Sequence, residues 1–175
     1  MASQLNYSHV KKTCLIFILL LSFSFCFSQN SARVSVVRGA RLIFNFESMD
    51  NIQNGRTLGS APTGFTELEL YYKHATINGW NLYVEATTAN LEGDYNAVNI
   101  NLSAINLHVY IDGVFSTTVS LGDVSPILIG QRNGDYTAGG THTVTISYDC
   151  GLAGELIGLE TNTFRTDMNF TLQSQ

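Results

Sequence analysis

Apolar and polar residues alternate along most of the chain, and the alternation is clearest from Gly79 to Ala86. One set of alternate positions holds Trp80, Leu82, Val84 and Ala86, whereas the other holds Asn81, Tyr83 and Glu85. A period of two residues predicts a β-strand with one buried face. Burying an indole removes a large apolar surface from water, so we predict that Trp80, the sole tryptophan, anchors the core.

The same period predicts further short strands on both sides of this one. They are Arg33–Arg38, Arg41–Ser48, Glu67–Lys73, Val98–Leu102, Ile105–Ile111, Val114–Leu121, Pro126–Gly130, Thr141–Cys150 and Asp167–Leu172. In Thr141–Cys150 the positions of Thr145, Ser147 and Asp149 are predicted to face solvent. In the last strand Phe170 occupies the apolar side, and we predict it as a second core anchor.

Turn residues separate these strands. Asp112-Gly113 between two apolar pairs predicts a hairpin, because glycine tolerates the positive φ of a tight turn. Residues 49–65, 87–96 and 151–162 are rich in turn-forming residues and are predicted to be connections, with no helix in the mature chain. Eight to ten short strands indicate an all-β protein, a single antiparallel β-sandwich of immunoglobulin-like or pilin-like type.

The first 28 residues have the pattern of a signal peptide. Lys11 and Lys12 precede the apolar run 14–27, and Ser28 supplies a small residue before a cut. Cleavage there leaves 29–175 as the secreted domain and predicts an extracellular or cell-surface location. An uncleaved anchor is the alternative, but the run is shorter than the ~18 residues that a spanning helix needs. A lipoprotein signal at Cys26 is the third reading, although Phe25 stands where a small residue is expected.

The charge of the mature chain excludes one class of partner. Cleavage removes two of nine basic residues and none of the 14 acidic ones, which leaves a net charge of about −7. Nucleic-acid binding requires clustered Lys and Arg, so we expect no nucleic-acid partner. We also expect no membrane span in the mature chain.

Cys150 is the one cysteine that remains after cleavage, so no intramolecular disulfide is expected. A free thiol buried in the core is one reading. An intermolecular disulfide or a reactive thiol is the other, although no basic residue nearby in the sequence would lower its pKa.

Two sequence patterns bear on the family. Tyr148 and Cys150 have the Tyr-x-Cys spacing of an immunoglobulin tyrosine corner, but no cysteine lies between Gln29 and Asp149 to complete the disulfide of that family. The stretches 79–84 (GWNLYV), 139–146 (GGTHTVTI) and 168–172 (MNFTL) resemble bacterial surface β-sandwiches of the WxL, spore-coat-U and pilin types. Phe170 stands where a second Trp-x-Leu would place its Trp. The resemblance implies a role in the cell envelope or outside the cell.

Two sets of residues are candidate sites. Tyr71 and Tyr83 point outward on their predicted strands and would stack on sugar rings, although cross-strand packing also explains such tyrosines. Gly93-Asp94-Tyr95 and Gly134-Asp135-Tyr136 repeat one another, and Asp94, Asn133 and Asp135 carry oxygen ligands of the kind that Ca²⁺ takes. Ordinary turn chemistry is the alternative for these three residues, and no other cofactor is expected.

No catalytic motif is evident: the chain has no Gly-x-Ser-x-Gly elbow, no phosphate loop and no His-Glu-x-x-His pattern. We therefore expect a non-catalytic protein with a structural or adhesive role, acting by strand addition at the terminal strands 33–38 and 167–172. The alternative is a carbohydrate-binding module. The expected partners are a cell-envelope component, a glycan or further copies of the chain.

Overall fold

The computed structural model describes residues 30–76, 78–95, 98–122 and 125–175. The predicted signal peptide lies outside these residues. The strands are β1 (Ser31–Arg38), β2 (Arg41–Phe46), β3 (Arg56–Leu58), β4 (Thr66–Lys73), β5 (Trp80–Ala86), β6 (Asn90–Gly93), β7 (Asn99–Asn101), β8 (Ile105–Ile111), β9 (Val114–Ser120), β10 (Ile127–Arg132), β11 (Gly140–Cys150) and β12 (Asn162–Ser174). Within the described ranges, the helix α1 (Met49–Asn54) and a 3-10 turn (Leu102–Ala104) complete the elements.

Two antiparallel sheets of six strands build the domain, which confirms the predicted β-sandwich. Sheet 1 has the order β1-β4-β11-β8-β9, and β3 pairs with the end of β11. Sheet 2 has the order β10-β5-β12-β6-β7, and β2 pairs with the start of β12. Residues Ser31–Gln175 form one compact unit.

The core lies between the inner faces of the two sheets, as the alternation requires. Leu68, Leu70 and Tyr72 of β4 enter it from sheet 1, and the apolar set of β5 enters it from sheet 2. Trp80 is 0% exposed and is the largest of the fully buried side chains. Phe170 packs against this core but is only partly buried.

The strand β12 is much longer than the sequence pattern indicates. It spans 13 residues, and its first half pairs with both β2 and β6, whereas its second half pairs with β5. The predicted strand Asp167–Leu172 therefore lies in the second half of β12, where it pairs with β5, and the ladder with β2 ends at Asp167. Strand addition at this strand stays a prediction.

Two stretches predicted as connections contain regular structure. The 49–65 stretch holds α1 and β3, and the 87–96 stretch holds β6. The Ser48 hydroxyl caps α1 by accepting a hydrogen bond from the Asn51 N–H, and Ile52 is the one buried residue of this six-residue helix. One buried position produces no helical periodicity, so the pattern contained no signal for α1.

The outer side of β11 is buried where solvent exposure was expected. Thr145, Ser147 and Asp149 all lie within the buried set. The Thr145 hydroxyl donates to the Pro62 carbonyl oxygen at 2.7 Å, so the loop before β4 covers this part of sheet 1. Within the described residues, no helix has the length and hydropathy needed to cross a membrane.

Candidate functional site

A cleft of about 400 Å³ opens on sheet 2 where β12 begins. It lies between the end of β2, the start of β12 and the turn that follows β6. Its lining residues are Asn45, Phe46, Glu47, Tyr95, Thr161, Asn162 and Thr163. Apart from the two aromatic rings, these side chains are all polar hydrogen-bonding groups.

Asn162 occupies the inner wall of the cleft and is 4% exposed. Its Oδ1 accepts hydrogen bonds from the Tyr95 N–H at 3.1 Å and from the Thr163 N–H at 2.8 Å. Because both partners are donors, they fix which end of the amide is oxygen. Its Nδ2 is buried and has no hydrogen-bond partner among the described residues. A buried amide nitrogen without a partner is costly, so a hydrogen-bond acceptor such as a water molecule or a ligand hydroxyl would stabilise it.

Tyr95 provides an aromatic surface at the mouth of the cleft, since it is 78% exposed. The preceding residue is held in place by an Asp94 N–H bond to the Thr163 carbonyl oxygen at 2.9 Å and by an ion pair with Arg165. The backbone under the ring is therefore tied to β12, while the ring itself stands in solvent. An exposed aromatic ring beside polar groups is characteristic of interaction sites.

A row of polar groups forms the opposite wall. The Asn45 Nδ2 donates to a Glu47 carboxylate oxygen at 2.5 Å, and the Thr163 hydroxyl donates to the Asn45 Oδ1 at 3.2 Å. None of the lining residues is Lys, Arg or His, so the Glu47 carboxylate gives the cleft a negative character. The cleft therefore combines a ring face with hydrogen-bonding groups and without a cation, an arrangement suited to polar, uncharged molecules.

The two tyrosines predicted to bind sugar do not lie together. Tyr71 lies on the outer face of sheet 1, where its neighbours across the ladders are Arg33 and Thr141. Tyr83 lies on the outer face of sheet 2, between Leu128 and Thr171. The sandwich separates these faces, so the pair forms no common platform, and each tyrosine remains a separate prediction.

The residues predicted to hold calcium are also separated. The backbone of Asp94 bonds to Thr163, at the beginning of β12. Asn133 and Asp135 follow Arg132 at the end of β10. Arg132 pairs with Trp80 of β5, and Trp80 pairs with Ser174, so this loop lies at the other end of β12. Eleven residues of strand between these ends correspond to about 36 Å. The prediction that all three residues form a single calcium site is therefore wrong.

Each of the acidic residues in that prediction has a local role. Asp94 pairs with Arg165 at 3.2 Å, and Asp135 accepts from the N–H and the hydroxyl of Thr137 at 2.9 and 2.6 Å. The second arrangement is ordinary turn chemistry. Across the described ranges, no group of three His, Cys, Asp or Glu side chains is placed to hold a metal ion.

Two histidines that the sequence leaves apart each meet a carboxylate. His142 Nδ1 lies 2.7 Å from Asp112 Oδ2, and its Nε2 lies 2.9 Å from the Tyr136 hydroxyl. His108 Nε2 lies 2.6 Å from Asp149 Oδ2. The hydrogen bonds of His142 continue through the Tyr136 hydroxyl to the Trp80 indole. The hydrogen bond of His108 satisfies the Asp149 carboxylate, which is almost fully buried. Both histidines supply hydrogen-bond partners to buried groups.

The spacing of Tyr148 and Cys150 does not produce the hydrogen bond of a tyrosine corner. The Tyr148 hydroxyl donates to the Thr66 hydroxyl at 2.8 Å, and Thr66 is 82 residues upstream. In an immunoglobulin tyrosine corner the acceptor is backbone a few residues away. Cys150 itself is buried and free.

The residues that form the cleft have no clear signal in the sequence. Tyr95 stands in the Gly-Asp-Tyr repeat, in which the aspartates and not the tyrosines are the predicted ligands. Asn162 lies in the stretch predicted as a connection. The two tyrosines of the repeat differ in the structure, since Tyr95 is exposed and Tyr136 is buried. The sequence does not show this difference.

Comparison with known proteins identifies no family. No protein-family model matches the chain, and no curated protein matches it. Among solved structures, TmCBM61 in complex with β-1,4-galactotriose is similar with a TM-score of 0.29 and 11% identity, over 82% of this chain and 88% of the other. A GH31 α-xylosidase from Xanthomonas citri is similar with a TM-score of 0.25 and 9% identity, over 85% of this chain and 16% of the other.

Proposed function

We propose that this protein is an exported, non-catalytic β-sandwich that binds carbohydrate in the cleft between Tyr95 and Asn162. The observation that carries the proposal is the pairing of an exposed ring with a buried amide nitrogen that has no partner in the described part of the chain. A sugar has apolar C–H faces and hydroxyl rims, so it is complementary to a ring face beside amide and hydroxyl groups.

The charge in the cleft favours a class of sugar. Glu47 is the one ionisable acid among the lining residues, and no basic side chain lines the cleft with it. A uronic acid or a sulfated sugar would bring a second negative charge beside Glu47, which is unfavourable at short range. We therefore propose neutral or amino sugars as ligands.

Export is supported by the sequence pattern of residues 1–28, and it brings a glycan-binding domain to the compartment where cell-wall and extracellular polysaccharides occur. The acidic, lysine-poor composition of the mature chain is compatible with this location. The proposed partner is accordingly a polysaccharide of the cell envelope or of the surroundings.

A structural or adhesive role through the sheet edges is the second candidate. The observation in its favour is that, among the described strands, β1 pairs with β4 alone, and that it exposes Val36 and Val37. However, the ladders of β1, β9 and β10 each contain a register shift of the kind that a β-bulge makes. Bulges at edges hinder pairing with a further strand. Glycan binding therefore ranks first.

Affinity gel electrophoresis tests the proposal, with β-1,4-linked glucan, mannan, xylan and galactan, chitosan and polygalacturonate as probes. We expect retardation of the chain beginning at Gln29 by at least one neutral or amino polysaccharide, and none by polygalacturonate. Tyr95→Ala should abolish retardation, whereas Tyr71→Ala, on the other sheet, should retain it. Absence of retardation by every probe, or retardation unaffected by Tyr95→Ala, would refute the proposal.

A further inference from the structure

The cleft continues into a strip of polar side chains along sheet 2. Arg41, Ile43 and Asn45 alternate outward on β2, and they pair in register with Asp167, Arg165 and Thr163 on β12. The Asn45–Thr163 pair lines the cleft, and the Arg41–Asp167 pair stands four residues further along the ladder. That separation corresponds to about 13 Å on one face of the sheet.

A second, smaller depression of about 70 Å³ lies at the far end of this strip. It is lined by Arg41, Thr87, Thr88, Glu92, Arg165, Thr166 and Asp167. Its side chains donate and accept hydrogen bonds, as those of the first cleft do. Between the two depressions Ile43 is 49% exposed and provides an apolar contact.

The ion pairs of the strip hold its side chains in fixed positions. Arg41 Nε and an Nη donate to the two carboxylate oxygens of Asp167 at 2.7 and 3.2 Å, and Arg165 pairs with Asp94 at 3.2 Å. A two-point Arg–Asp pair is planar, and it leaves further N–H donors and oxygen lone pairs free. Both side chains of the Arg41–Asp167 pair are about half exposed, so these free groups are available to a ligand.

We infer that the Tyr95–Asn162 cleft is one end of an extended site, in which an oligosaccharide lies along the β2–β12 ladder and reaches a second subsite at Arg41–Asp167. This inference rests on the proposed function and adds the substrate class: internal segments of a linear polysaccharide rather than single terminal sugars. The opposite charges of the second subsite neutralise one another, so the preference for uncharged chains extends along the strip.

Isothermal titration with oligosaccharides of two and six units tests this inference. The probes are the cello-, manno-, xylo- and galacto-series. In one of these series the six-unit ligand should bind at least about tenfold more tightly than the two-unit ligand. Arg41→Ala should remove most of that difference and leave two-unit binding unchanged. Asp167→Asn is the second variant, because it keeps the size of the side chain. Arg33→Ala, which breaks the comparable exposed pair with Glu69 on sheet 1, is the matched control and should have no effect.

Equal affinities for the two lengths, or a length dependence that neither Arg41→Ala nor Asp167→Asn changes, would overturn the extended site. If the extended site is overturned but binding still requires Tyr95, the proposed function is retained. Binding of neither length in any series, or binding that is independent of Tyr95, would overturn both.

Discussion

The indole Nε1 of Trp80 donates a hydrogen bond to the Tyr136 hydroxyl at 3.2 Å, inside the protein. The same hydroxyl lies 2.9 Å from His142 Nε2, and His142 Nδ1 lies 2.7 Å from an Asp112 carboxylate oxygen. These hydrogen bonds thus connect the largest fully buried ring of the core with the hairpin turn between β8 and β9. They satisfy the one polar atom that burial of a tryptophan removes from water.

Replacing Tyr136 by Phe tests the importance of this connection. The variant leaves the Trp80 Nε1–H and the His142 Nε2 without their shared partner, so we expect a loss of about 1–3 kcal/mol in the free energy of unfolding. Urea titration followed by tryptophan fluorescence measures it. Tyr95→Phe removes a hydroxyl from an exposed ring and should change stability by less than about 0.5 kcal/mol. Equal effects of the two variants would contradict the assigned role.

Asp112 predicts a dependence of stability on pH. Desolvation raises the pKa of Asp112. Its hydrogen bonds with His142 and with the Thr143 N–H, together with nearby positive charges, lower the pKa by more. The pKa of Asp112 therefore lies below its ordinary value. A carboxyl group with a lowered pKa in the folded state stabilises the fold above its unfolded pKa of about 3.9, and this stabilisation is lost as the pH falls through the folded value.

Asp112→Asn tests this dependence, because asparagine also tolerates the positive φ of 54° at this position. We expect the variant to have a lower melting temperature at neutral pH and a shallower decline in acid. Thermal unfolding from about pH 2 to pH 6 measures both slopes, over the range that surrounds the carboxyl pKa. Parallel curves for the variant and the wild type would contradict the assignment.

The thiol of Cys150 should be unreactive in the folded protein. Burial, with the charges of Glu155 and Asp149, raises its pKa to about 12. Only the thiolate is nucleophilic, and this side chain is 0% exposed, so alkylation should be very slow. Mass spectrometry of the chain beginning at Gln29 should show no iodoacetamide adduct in buffer and one in denaturant. Rapid labelling of the folded protein, or a disulfide-linked dimer, would contradict the buried state.

Gly55 is predicted to be the more sensitive of two glycines that share a positive φ. At Gly55, with φ of 71°, a Cβ would lie 2.5 Å from the Cys150 carbonyl oxygen and 2.7 Å from two further backbone atoms. At Gly113, with φ of 78°, a Cβ would meet nothing within 4 Å. Gly113→Ala should therefore cost about 1–2 kcal/mol from the backbone alone, and Gly55→Ala should cost clearly more. Thermal unfolding compares them, and an equal cost would show that the close approach is relieved without penalty.

The fold could be predicted because alternation is a strong signal where one face is buried. The strands around Trp80 and Tyr110 are flanked by clear turns, and their predicted bounds differ from the observed ones by a residue at most. The first half of β12 escaped prediction since Asn162, Thr163 and Thr166 are polar, although Asn162 and Thr166 are buried. Their burial depends on pairing with β2 and β6, and partners this remote leave no local pattern.

The candidate site was less accessible to sequence reasoning. A cleft depends on which loops meet, and Asn45, Tyr95 and Asn162 come from three separate parts of the chain. The resemblance to surface proteins emphasises Trp80 and Phe170, which pack in or against the core and do not line the cleft. Tyr71 and Tyr83 alternate outward as predicted, but the sequence could not show that their strands belong to different sheets.

The most direct test of the account observes the Asn162 side-chain amide by ¹H–¹⁵N NMR during titration with two-unit oligosaccharides of the cello-, manno-, xylo- and galacto-series. Asn162→Asp identifies its resonance. We predict that in at least one series the Asn162 side-chain NH2 pair and the Tyr95 backbone N–H, which donates to the Asn162 Oδ1, shift together and saturate at one ligand concentration. Saturable shifts confined to the surroundings of Tyr71 or Tyr83, or no shift at Asn162 with any of the four, would contradict the account.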